Sequence, residues 1–326
     1  MKKESNMDKI EISTPGKLML FGEHAVVYGG PCIVTAVDQR IKVIIEKLNS
    51  QTVVLNAPEV NIENLALNFG SNNLDQIPKG GKFVAAALNN FNVQFPLDNG
   101  LRISTISDFS SKFGFGSSSA VTVGVIKGLN ELMGTKMNNQ QIFDMAYKSV
   151  LDVQGVGSGF DLAAAIWGGT LYFITGGKQI DPLRVTKLPL VIGYTGIKAD
   201  TATWVRFVAN RKNQFALPIN SVFSVIENVV VLAKKALEDG NWNSLGILMD
   251  INQGLLESLG VGTVELSNLI YASRLSGAWG AKLSGAGGGD CMIALSDNKQ
   301  NVEQAIQAKG GTIIHAKTNA EGARIE

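Results

Sequence analysis

Residues 112 to 121 read KFGFGSSSAV, and this stretch constrains the chain more than any other. Gly114 and Gly116 strip Cβ atoms from the loop, and the serines lead straight into an apolar run of helical period, AVTVGVIKGLNELMG. A loop that bare, entering a helix, turns successive N–H groups outward at the positive end of the helix dipole, where an anion such as a phosphate group is stabilised. Serine hydroxyls add donors and can ligate Mg²⁺, a cation that prefers oxygen. The local alternative is a serine N-cap following a tight turn. The pattern is neither the Walker A sequence nor the Gly-x-Gly-x-x-Gly fingerprint of dinucleotide binders, so neither of those folds is implied.

The remaining candidate chemistry also sits beside glycine. PGKLMLFGEH (15–24) puts Lys17 after Pro-Gly at the start of an apolar strand, with Glu23 and His24 at its far end. A solvated turn lysine and a surface carboxylate are the plain alternatives. VQGVGSGFDLAAAIWGG (153–169) puts Asp161 between a glycine-rich turn and an alanine-rich helix. There it is either the helix N-cap or a carboxylate placed to accept a proton from a substrate hydroxyl during phosphoryl transfer. AKLSGAGGGDCMIAL (281–295) is a small-residue turn between strand-like pieces, suited to close backbone approach.

Composition excludes several classes. With 326 residues and 45% hydrophobic content the chain can bury a large core, and its length suggests about two domains. Lys plus Arg at 29 nearly cancel Asp plus Glu at 28, so no broad field favours nucleic acid or an anionic membrane. A small-molecule partner is the default. No secretory apolar region follows MKKESNMDKIEI and no run reads as a membrane span of ~20 apolar residues, so the expected location is the cytoplasm. Cys32 and Cys291 are too few for a disulfide framework or thiolate metal site and are expected to be buried and reduced. Only His24 and His315 occur, which leaves little room for a Ser/His/Asp hydrolase or a histidine-rich metal centre. His315, in TIIHA, reads as a strand residue.

Apolar strand-like runs IEIST, KLMLF, IKVIIEK and TVVL come first, then a helix over 83–91, the strand LRISTI, the serine-led helix, the helix NQQIFDMAYKSVL and the strand TLYFI. The pattern restarts with LVIGY, followed by helices over 219–238, 242–259 and 264–277; strands CMIALS and TIIHA flank a last helix over 302–308. The class is α+β, divided at 1–185 and 186–326. No repeat or long flexible linker separates the halves, which are expected to pack tightly.

The order PGKLMLFGEHAVVYGG, GFGSSSA, GSGFD, KLSGAGGGD resembles the superfamily of galactokinases, homoserine kinases, mevalonate kinases and phosphomevalonate kinases, over nearly the whole chain. FGEHAVVYGGP and MDINQGLLESLGVGTVEL (249–266) are most similar to its mevalonate kinase branch, in the short archaeal and bacterial form. The resemblance implies an N-terminal domain of the ribosomal-protein-S5 type, a ferredoxin-like C-terminal domain and an active site between them. It also implies transfer of the γ-phosphoryl group of ATP, with Mg²⁺, to a small-molecule acceptor, which in the mevalonate kinase branch is the 5-hydroxyl of mevalonate, and by analogy a homodimer.

Carried over by residue, the resemblance assigns the phosphate loop to Gly114, Gly116, Ser117, Ser118 and Ser119, with Ser118 as the Mg²⁺ ligand. It assigns the catalytic aspartate to Asp161 and its charge-stabilising lysine to Lys17. The acceptor side falls to Glu23, His24 and Thr201, and a closing turn to Gly285, Ala286, Gly287 and Gly288. Two departures stand out. Where mevalonate kinases carry a metal-binding glutamate this chain has Val150, and Asp152 could replace it only if the helix ends or unwinds there, since two helical positions are a rotation of about 200°. QGVGSGFDLAAA and GAGGGDC are also closer to phosphomevalonate kinases. A phosphorylated acceptor would need further cations, for which Lys112 and Lys198 are the candidates. Three other readings remain at this point: a phosphomevalonate kinase, a related decarboxylase, and a non-catalytic binding protein on the same fold.

Overall fold

The computed structural model describes residues 8–185 and 187–326, and its frame is an antiparallel pair of long strands, β1 (Lys9–Phe21) and β2 (Pro31–Leu48). The sequence reading separates IEIST from KLMLF at Pro15-Gly16, as though a turn stood there. The two runs form one strand, and the dipeptide is absorbed as a register shift, Pro15 facing Arg40 and Gly16 facing Val37. Such an irregularity adds twist and re-aims the next side chain without ending the pairing. The next residue is Lys17.

After this hairpin come β3 (Val53–Ala57), β4 (Ile62–Leu67), α1 (Lys82–Gln94), β5 (Gly100–Ser107), α2 (Ser117–Met133), α3 (Asn139–Gln154), α4 (Phe160–Trp167), β6 (Thr170–Ile174) and β7 (Gln179–Pro182). β5 pairs antiparallel with β2 and parallel with β3, while β6 pairs with the start of β2 and carries β7. α2 lies on β1 and β2, flanked by α1, α3 and α4. Asn138 starts α3 through a reciprocal pair of bonds with Gln141, which satisfies amides the helix leaves open.

The second unit contains β8 (Leu190–Tyr194), α5 (Thr201–Gln214), α6 (Ala216–Glu238), α7 (Trp242–Leu259), α8 (Val264–Leu275), β9 (Gly280–Ser284), β10 (Cys291–Leu295), α9 (Lys299–Ala308) and β11 (Thr312–Ile313). Its sheet runs β11-β8-β10-β9, antiparallel throughout, with α7 and α8 against β9. The two mixed α/β units agree with the α+β expectation.

The chain then recrosses. β12 (Arg324–Ile325) pairs with β1, Thr318 bridges Val37 and Glu321 bridges Gly168. The buried Arg40 guanidinium secures this return by donating to Ser13 and to the carbonyls of Glu321 and Gly322, the latter two at 2.8 Å. The second unit therefore does not own all of 186–326, because its last residues pack on the first. The expected division at 185/186 falls in the link between β7 and β8, where Thr186 lies outside the described residues.

Three further expectations are corrected. α5 and β12 are absent from the sequence reading, since α5 is polar on most faces and β12 is only two residues long. The strand in TIIHA ends at Ile313, leaving His315 beyond it with an exposed side chain. α6 is long and apolar enough to cross a membrane by length and composition, contrary to the reading that no run is. Its buried residues, among them Phe223, Ile226, Val230, Ala233 and Leu237, recur at helical spacing and the helix packs on α7 and β2.

α7 meets β9 main chain to main chain: a Cβ on Gly246 would lie 2.3 Å from the Trp279 carbonyl oxygen, whereas one on Gly254 would meet nothing within 4 Å. Glycine inside a helix costs ~0.5–1 kcal/mol relative to alanine. Gly254→Ala is expected to raise the thermal midpoint by about 1–3 °C. Gly246→Ala is expected to lower it by more than that despite the same gain in propensity, as read from circular dichroism melts.

Candidate active site

The serine loop is held by what precedes it. Phe115 is buried against Phe109 and Phe113, and its carbonyl accepts a bond from the Lys17 amide at 3.0 Å. The loop is thus pinned to β1 just past the register shift. Gly116, at φ 77°, is the N-cap of α2 and offers no capping side chain, so Ser117, Ser118 and Ser119 occupy the first turn of the helix. This removes the serine N-cap alternative. The first-turn amides that a cap would satisfy are left for a ligand, at the positive end of a 17-residue helix.

Asp161 arrives the same way. Gly159, at φ 92°, is the N-cap of α4, so Asp161 is the second residue of that helix and not its cap. The loop before it is fixed by the Tyr147 hydroxyl, which donates to the Gly157 carbonyl at 2.8 Å. Gly116 is where the pieces meet: a Cβ there would lie 3.0 Å from Lys17 Cε and 3.6 Å from Asp161 Cβ. Lys17 Nζ donates to the Gly114 carbonyl at 2.8 Å and stands 5.3 Å from the centre of the Phe160 ring. The structure therefore brings together the predicted lysine, the predicted aspartate and the serine loop, with the starts of two helices facing one place.

The closing turn comes from the other unit. Gly287, Gly288 and Gly289 all have positive φ, and a Cβ on them would strike the Val261 carbonyl, the Trp204 ring and the Ile197 carbonyl. His24, buried and itself at φ 61°, reaches across to the Ala286 carbonyl with Nε2 at 2.9 Å. Because a carbonyl only accepts, the proton sits on Nε2. Burial pushes the imidazole down to about 4, only partly opposed by this bond, so His24 is neutral at pH 7.

Glu23 is not the surface carboxylate that composition favours. It is 1% exposed, ion-paired with the fully buried Lys282 of β9, and accepts from Asn252 Nδ2 of α7 at 3.2 Å. Thr201 opens α5 and is exposed; it is Trp204, one turn later, that packs on the glycine turn. Lys198 is exposed and donates to the Ser111 carbonyl, so its ammonium is already engaged by the serine loop; Lys112 is exposed.

The substitute metal carboxylate fails its condition. α3 runs unbroken through Asp152 to Gln154, and the Asp152 carboxylate accepts from Asn90 Nδ2 of α1 at 2.7 Å. Val150 is buried against the loop that leads to Asp161, its methyl 3.8 Å from where a Cβ on Gly157 would stand. Among the described residues no three His, Cys, Asp or Glu side chains gather as a metal cluster. The available donors, the Ser118 hydroxyl and the Asp161 carboxylate, are hard oxygens few in number. That set fits a Mg²⁺ carried mainly by nucleotide phosphates and water.

Two residues escaped the sequence reading. Lys282 was legible only as a charge inside an apolar strand. Asp290 was noted as a departure and given no role. It sits at φ 56°, its Oδ1 accepts from the Ala199 amide at 2.9 Å, and its Oδ2 is 2.7 Å from where a Cβ on Gly114 would stand. It ties the approach to α5 to the serine loop, and burial pushes its carboxyl above the usual range. Both cysteines are buried as expected, and burial raises both thiols.

Residues 82–169 match the GHMP kinases N terminal domain and residues 233–309 the GHMP kinases C terminal domain. The chain is similar to the mevalonate kinase of Pyrococcus furiosus, 36% identical over 98% of each chain. Among solved structures it is similar to the Methanococcus jannaschii mevalonate kinase, with a TM-score of 0.80 and 26% identity over 97% of this chain and 99% of that one. It is also similar to the L. major mevalonate kinase in complex with R-mevalonate, with a TM-score of 0.77 and 25% identity over 95% of each.

His24 makes a pH test. Unfolded, its imidazole binds a proton below about 6.5; folded, it does so only below about 4. Between these values the unfolded state holds the extra proton, so stability is lost as the pH is lowered through this window, by about 3 kcal/mol, and this contribution levels off below it. His24→Asn, whose side chain tolerates positive φ, is expected to flatten the dependence of urea-unfolding stability between pH 6.5 and 4 relative to the parent.

Proposed function

The chain belongs to the GHMP kinase family, and from that premise we propose that it transfers the γ-phosphoryl group of ATP to the 5-hydroxyl of mevalonate, giving 5-phosphomevalonate. The observation that carries the proposal is the meeting of Lys17 and Asp161 at Gly116, beside the uncapped start of α2. Phosphoryl transfer needs little covalent help from a protein; it needs the donor and acceptor oxygens held in line and the spreading charge offset.

Each residue has a matching task. The first-turn amides of α2 and the hydroxyls of Ser117, Ser118 and Ser119 grip the triphosphate. Asp161 orients the acceptor hydroxyl and takes its proton as the oxygen bonds to the γ-phosphorus and the bond to the β–γ bridging oxygen breaks, releasing ADP. Lys17 is held in place by the Gly114 carbonyl, and its ammonium offsets charge on the transferring group. Bound Mg²⁺, with Ser118 as its protein ligand, would neutralise charge on the β- and γ-phosphates. The neutral His24 and the glycine turn of the second unit close the acceptor side.

The deciding assay offers mevalonate and 5-phosphomevalonate separately with ATP and Mg²⁺ and follows ADP release. Turnover of mevalonate is expected; turnover of 5-phosphomevalonate alone would reassign the acceptor. Asp161→Asn and Lys17→Met are each expected to lower kcat by about a hundredfold or more while leaving the far-ultraviolet dichroism and melting midpoint near the parent values. Near-parental turnover in either folded variant would remove its assigned role.

A further inference from the structure

The segment MDINQ (249–253), singled out by its resemblance, has no part in the phosphate chemistry, and the structure shows what it holds. β9 is the edge strand of its sheet, and α7 covers that edge with side chains: Asp250 Oδ1 accepts from the Ala281 amide at 3.0 Å and Gln253 Oε1 from the Leu283 amide at 2.9 Å. Asn252, between them, is fully buried and donates to Glu23 of the other unit. Lys282 of β9 meets the other oxygen of the same carboxylate, with a second bond to the Leu283 carbonyl and the Phe21 ring 6.0 Å away. Next along β9, the Ser284 hydroxyl donates to the Met19 carbonyl at 2.8 Å and accepts from the Met19 amide at 3.1 Å. The carboxylate of Glu23 is thus enclosed by protein donors, one residue before His24 and its bond to the glycine turn.

Resting on the function proposed above, we infer that Lys282 and Asn252 are positioning residues: with Glu23 they form a buried polar joint that sets His24 and the 285–289 turn against the acceptor. Glu23 acts through this joint and does not touch the acceptor. An uncompensated charge at such a depth is strongly destabilising, whereas replacing both charges by neutral groups of similar volume is tolerated. That asymmetry supplies the test.

Full-length parent, Glu23→Gln, Lys282→Met and the double variant are compared by melting midpoint and, at a temperature where each is folded, by kcat and KM for mevalonate. Each single variant is expected to melt lower and to lose at least tenfold in kcat while folded. The double variant is expected to recover most of the midpoint, with kcat and KM within about threefold of the parent. If Lys282→Met yields no soluble protein, recovery is read from Glu23→Gln against the double variant.

A double variant that melts normally yet keeps KM raised tenfold or more would show that Glu23 touches the acceptor and overturn the inference. So would additive losses of midpoint, or folded single variants with parental kcat. Failure of the parent to turn over mevalonate would sink the proposed activity instead, and the melting comparison would still read the joint.

Discussion

Everything in the site depends on one place where the main chain carries no side chain. Gly116 ends a loop pinned to β1, begins α2, and presents bare backbone toward both Lys17 and Asp161. A Cβ there would crowd the Lys17 side chain, 3.0 Å from its Cε, and the positive φ would strain any other residue besides. With glycine in that position the starts of α2 and α4 come close to Lys17, so partial positive charge from both helices adds to its ammonium. The chain is nearly neutral overall, and its electrostatic work is done by this local arrangement.

The second constraint is mechanical. A site split between two units works only if they keep register, and hydrophobic contact alone is non-directional. Here the units are joined by directional bonds: Ser284 with Met19, His24 with Ala286, Lys282 and Asn252 with Glu23. The returning tail, held by Arg40, adds a covalent strap between them. Buried polar contacts of this kind define one arrangement more sharply than they stabilise it.

The serine loop, Asp161 and Lys17, which the structure brings together, stood out in the sequence because each announces itself locally: glycine before serine before a helical run, glycine before aspartate before alanine. The strands and the long apolar helices were legible from period alone. Three things were not. The Pro15-Gly16 dipeptide reads as a turn because local propensity favours one, yet pairing with β2 overrides it. Asp152 and Val150 differ by two positions, and only the unbroken helix decides that the aspartate turns to Asn90 while the valine faces the loop. The domain division fails at its far end because β12 owes its pairing to a strand more than three hundred residues earlier.

Family, class of fold and the glycine-flanked candidates for phosphate binding could be read from the residues alone, since those follow from backbone freedom and short-range pattern. It took the folded chain to reveal that Glu23 is occupied by Lys282, that His24 is held neutral against Ala286, and that Asp290 faces Gly114. These partners are separated along the chain by between 176 and 262 residues. Burial and pairing at such separations leave no local trace, because a charged residue reads the same in sequence whether water or another side chain neutralises it.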